Sequence, residues 1–179
     1  MTAQTKIPTT EVQSIDANAI LRSNSDEAHI LHSKIVGKCA TVEAWLFEKI
    51  SPVQKPEMML IKKLEQLEKL AGQNKVSYKQ PESLKSRLEA FRPFAEFRSE
   101  IVHSEMTVMM CNGRIVVFFE NASQASNRML RKQIILPIEE FKEVWRNMAS
   151  TANVLISPIP NQPLSSPQKQ PVDAPVTPA

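Results

Sequence analysis

Cysteine and glycine are scarce in this 179-residue chain, with two and three copies, and tyrosine occurs once. Cys39 and Cys111 are too few and too far apart for a disulfide framework or a structural zinc site. A reducing, cytoplasmic setting is therefore expected. With glycine confined to positions 37, 72 and 113, no loop can wrap backbone amides around a nucleotide phosphate, and neither a phosphate loop nor GxGxxG occurs. HExxH, paired CxxC and the nucleophile elbow GxSxG are absent too, so no metal and no cofactor is expected. No stretch approaches the roughly 20 apolar residues that span a bilayer. The opening MTAQTKIPTTEVQSIDANAI lacks a basic start followed by an apolar run. Neither a secretory signal nor a membrane partner is expected.

What is present suits a packed core. Hydrophobic residues make up 42% and charged residues 23%, the balance of one globular domain with tails. The net charge of +3 is unevenly spread: Lys49 to Arg98 holds eleven Lys or Arg against six Asp or Glu. A basic stretch is a footprint for phosphate, although a solvated lysine-rich helix face gives the same count.

Residues 1 to 22 read as a flexible arm. "SNSDEAH" has the signs of a helix start, with Asn24 or Ser25 capping and Asp26 and Glu27 in the first turn. Ala28, Leu31, Ile35, Cys39, Val42 and Leu46 follow at helical spacing, and Pro52 ends the helix. A second helix starts near Pro56, carries Met59, Leu60, Leu64, Leu67 and Leu70, pairs Glu65 with Lys69 outside, and ends at Gly72. A third opens at Pro81, with Leu84, Leu88, Phe91, Ala95, Arg98 and Val102 on one stripe and a kink expected at Pro93. The period then changes to two. "TVMMCNGRIVVFFE" reads as a β-hairpin around Asn112-Gly113, and "RKQIIL" as a third strand beyond the loop "NASQASN". A final helix after Pro137 buries Ile138, Phe141, Trp145, Met148 and Ala152. Residues 157 to 179 hold seven prolines and are expected to form a disordered tail. The fold class is therefore mainly α: about four helices over 23 to 156, with a hairpin or small three-stranded antiparallel sheet before the last.

Few residues carry chemistry. His29 and His32 share a helix face, but two histidines alone are a poor metal signature, and a solvated surface explains them. Cys39 belongs to the core stripe as an inert thiol, and Trp45 and Trp145 as packing residues.

Arg98 and His103 are harder to dismiss. Arg98 falls on an apolar stripe, where a permanent cation needs a partner or a cleft. On a regular helix a five-residue separation leaves about 140° between two side chains, so the pair converges only if His103 lies beyond the last turn. A salt bridge from Arg98 to Glu43 or Glu100, with His103 favoured as a cation at the helix end, accounts for both on spacing alone.

R-S-E-I-V-H at 98–103, after two long helices and before an Asn-Gly hairpin, resembles the RX4–6H motif of the HEPN superfamily (higher eukaryote and prokaryote nucleotide-binding). The resemblance covers roughly residues 24 to 156. It implies a dimer that acts on RNA without a metal, as a toxin or defence endoribonuclease, with Arg98 and His103 catalytic. His103 would be general acid or base toward the ribose 2′-hydroxyl, and Arg98 would hold the scissile phosphate. Ser99 and Glu100, inside the motif, are the candidate binding residues. Ser99 stands where the family often has Asn or Asp, and Ser104 where it has glycine. The chain reads H-S-E where antitoxin-modified toxins carry HxY, which argues against that modification. Some family members are non-catalytic, so a homodimeric interaction module with a protein partner is the alternative.

Overall fold

A computed structural model describes residues 17–76, 81–121 and 133–157. Most of the expected arm and tail, the "NASQASN" loop after Asn121, and Arg131 and Lys132 of the expected third strand lie outside these residues. Four helices are present: α1 (Ala17–Ile50), α2 (Leu60–Gly72), α3 (Pro81–Ile101) and α4 (Ile138–Ile156). Between α3 and α4 lie β1 (Ser104–Cys111), β2 (Arg114–Asn121) and β3 (Gln133–Pro137), an antiparallel sheet in the order β1-β2-β3. The expected fold class is the observed one.

The apolar stripe of α1 is buried throughout: Ala28, Leu31, Ile35, Cys39, Val42 and Leu46 all join the core. The helix starts earlier than its capping signal indicates. Ala17, Ala19, Leu21 and Arg22 are good helix formers, and the Asn24 amide donates back to the Ile20 carbonyl at 2.8 Å rather than capping a new helix.

The start of α2 is displaced the other way, from Pro56 to Leu60. Gln66 explains it. Its Nε2 donates to the Lys55 carbonyl and its Oε1 accepts from the Glu57 amide, both at 2.9 Å, which pins 55–57 outside the helix. Met59, expected in the core, is consequently 57% exposed. Glu65 pairs with Lys62 at 2.8 Å instead of Lys69. α2 does end at Gly72, but Asn74 takes the left-handed turn (φ 56°), a conformation asparagine tolerates.

α3 runs unbroken through Pro93, whose ring lies on the solvent side. The hairpin turn has positive φ at both Asn112 (48°) and Gly113 (73°), as a type I′ turn requires. On β2, Val117 and Phe119 face the helices. The Phe119 ring lies 5.5 Å from Phe141 of α4, 6.4 Å from Phe97 of α3 and 6.2 Å from His32 of α1. One side chain thereby packs the sheet against three helices. Trp45 and Trp145 are partly buried against the core.

Candidate functional site

The end of α3 decides whether Arg98 and His103 can cooperate. The Val102 amide closes the last helical turn on the Arg98 carbonyl at 3.1 Å. The Ser104 hydroxyl donates to the Glu100 carbonyl at 2.7 Å as β1 begins. His103 sits in the corner between helix and strand and is exposed. It has left the helical register, so the 140° separation no longer applies.

Arg98, Ser99 and His103 line one cleft of about 210 Å3. Ala95 completes the α3 wall, Glu43 comes from α1, and Met58, Met59, Leu60 and Ile61 form the opposite side. Glu100 does not line it. At about 100° per residue Ala95, Arg98 and Ser99 share a face, while Glu100 is turned about 200° from Arg98. Of the four candidate residues, the fold therefore gathers three.

Glu43, one of the two carboxylates available to neutralise Arg98, is engaged elsewhere. It pairs with the Lys63 ammonium, which is buried and also donates to the Met58 carbonyl at 3.0 Å. Arg98 makes no ion pair among the described residues, and its Nε is buried without a hydrogen-bond partner. Its charge is felt nearby at Cys39. Burial pushes that thiol up to about 11, while the Arg98 guanidinium pulls it the other way.

Neither a family model, nor a curated protein, nor a solved structure matches this chain. The cleft offers a planar cation that makes no ion pair among the described residues, a hydroxyl at Ser99 and an exposed imidazole, over a half-apolar floor. That set can bind an oxyanion and move a proton beside it. No group of three or more His, Cys, Asp or Glu is placed to hold a metal among the described residues. His29 lies exposed on α1 and His32 stacks on Phe119.

Sequence reasoning missed the methionine wall and Lys63. The methionines arrive because Gln66 ties down the leg before α2, a long-range effect with no local signature. Lys63 did leave a signal: it falls on the α2 stripe between Leu60 and Leu67, where a cation needs a partner. No helix among the described residues is long and apolar enough to cross a membrane.

Proposed function

We propose that this is a HEPN-like RNA-processing protein whose cleft cleaves RNA without a metal, as a toxin or defence endoribonuclease does. The observation that carries the reading is that R-S-E-I-V-H presents to the same cleft an exposed histidine and an arginine that makes no ion pair among the described residues. Arg98 grips two oxygens of the scissile phosphodiester as a planar bidentate donor. Neutral His103 takes the proton of the adjacent ribose 2′-hydroxyl, and the resulting oxygen attacks phosphorus. The bond to the 5′-oxygen breaks, that oxygen takes a proton from water, the hydroxide so formed removes the proton held by His103, and a 2′,3′-cyclic phosphate remains. Arg98 stabilises the negative charge that builds on the phosphoryl oxygens during the transfer. Ser99 offers a further hydrogen bond to the bound strand. The positive excess between Lys49 and Arg98 favours a polyanionic substrate over a neutral one.

One observation favours the alternative, a non-catalytic interaction module. Met58 and Met59 are 90% and 57% exposed on the cleft wall, and flexible methionines suit a protein segment as well as a nucleotide base.

Incubation of purified protein with total RNA in a chelator separates the two. The catalytic reading expects cleavage by the wild type, a loss of about 10²–10⁴-fold in His103→Ala, and a large loss in Arg98→Lys, which keeps the charge but not the planar fork. Intact RNA with the wild type, or equal cleavage by all three proteins, rejects catalysis and leaves the interaction module.

A further inference from the structure

Glu43 lines the cleft beside Arg98, and the phosphate chemistry above gives it no task. A bare carboxylate there would repel a polyanion. Lys63 removes that objection, because its ammonium pairs with Glu43 Oε1 and leaves the two groups neutral together. A carboxylate has about four lone-pair sites, so one ammonium leaves it able to accept further hydrogen bonds. The pair is also lopsided, with the Lys63 side chain 9% exposed and that of Glu43 30% exposed. The lysine is packed behind the carboxylate, and the carboxylate is what an entering ligand meets. On the opposite wall stand the exposed thioether side chains of Met58 and Met59, whose polarisable sulfur packs well against flat aromatic rings.

We propose that these groups select the base on the 5′ side of the cut, and that this base is an unpaired guanine. The methionines hold its face, and Glu43 accepts from its Watson–Crick edge. The assignment rests on the reading of the cleft as an RNA site. Base and phosphate belong together, because the attacking 2′-hydroxyl and the scissile 3′-phosphate are carried by the nucleotide on that side. Guanine follows from hydrogen-bond complementarity, since a carboxylate only accepts. Guanine offers two neighbouring donors, N1–H and the N2 amino group, which match the two oxygens of a carboxylate. Adenine and cytosine each set one amino group beside a ring nitrogen that is itself an acceptor. Uracil flanks its N3–H with two carbonyl oxygens, which a carboxylate repels. All these edges are occupied in a base pair, so the substrate is single-stranded.

Titration calorimetry of the full chain with the four ribonucleoside 3′-monophosphates tests this without requiring a cut. Guanosine 3′-monophosphate should bind the wild type at least about tenfold more tightly than each of the other three, as one good bidentate contact allows. Inosine 3′-monophosphate, which lacks the N2 amino group, should fall between. The double variant Glu43→Gln/Lys63→Met strands neither charge, so it should stay folded, yet bind the four nucleotides within about threefold of one another. Met58→Ala/Met59→Ala, at exposed positions, should weaken all four by about threefold or more. A wild type that ranks the four equally, prefers another base or binds none overturns the guanine site. So does a Glu43→Gln/Lys63→Met protein that keeps the preference, and unchanged binding by the methionine variant overturns the role of that wall. A protein that cuts RNA yet ranks the bases equally keeps the reaction and loses this site. One that prefers guanosine 3′-monophosphate yet leaves RNA intact keeps this site and loses the reaction.

Discussion

The pairing of Lys63 with Glu43 is what leaves Arg98 available, and its energetics follow from unequal burial. The Lys63 side chain is 9% exposed and that of Glu43 is 30% exposed. Glu43→Gln keeps the volume but leaves a nearly buried ammonium with the Met58 carbonyl as its remaining partner. Breaking a fully buried pair costs about 3–5 kcal/mol. Because water reaches Glu43 and the carbonyl stays, a loss of about 2–3 kcal/mol is expected here. Lys63→Met is milder, about 1 kcal/mol, since the stranded carboxylate can hydrate. The double variant, with neither charge, should fall within about 1 kcal/mol of the wild type, giving a coupling of about 2 kcal/mol between the sites. Urea unfolding of the four proteins, with unchanged slopes, provides the cycle. Equal costs for the two single variants, or strictly additive costs, would refute the burial argument. Lys63→Met also releases Glu43 toward Arg98 within the shared cleft, so it should weaken RNA binding in a protein that remains folded.

Three further outcomes follow from the packing. In the native protein a thiol reagent should label Cys111, which is exposed, while Cys39 stays unreactive until denaturation. Two thiols reacting at similar rates would contradict the α1–α4 core. Since burial holds the Cys39 thiol at about 11, the folded chain keeps a proton that the unfolded chain loses near pH 8.5–9. This contribution to stability is therefore constant at neutral pH and declines between about pH 9 and 11, by up to about 1.4 kcal/mol per pH unit, which unfolding at stepped pH measures. Phe119→Ala removes the fully buried ring that joins the sheet to α1, α3 and α4, and should cost about 3–5 kcal/mol in chemical denaturation. A cost below about 1.5 kcal/mol would show that the sheet is not anchored there.

Much of the fold was legible because burial repeats at the helical or strand period. Ala28 through Leu46 on α1, Leu84 through Ala95 on α3, and Phe141, Met148 and Ala152 on α4 all occupy the core their spacing indicates. Asn112-Gly113 specified its turn because few residue pairs accept two positive φ angles. Element starts were less legible, since long-range contacts outweigh local propensity. Gln66 holds back the start of α2, and the helix formers before Asn24 extend α1 past its capping signal. The site divides in the same way. That Ser99 accompanies Arg98 while Glu100 turns away is a matter of helical angle and could be read locally. That Lys63 takes Glu43, and that methionines face Arg98, depends on how α2 docks against α1 and α3.

In the proposed reaction Arg98 and His103 act together on the ribose 2′-hydroxyl and its neighbouring phosphate. The chemistry of the RNA ends tests it most directly. Product fragments formed in chelator should carry a 2′,3′-cyclic phosphate at one end and a 5′-hydroxyl at the other, and a 2′-deoxy substitution at the cleaved position should abolish the cut. Fragments that end in a 3′-hydroxyl and a 5′-phosphate, or a deoxy-substituted strand cut at the normal rate, would contradict it.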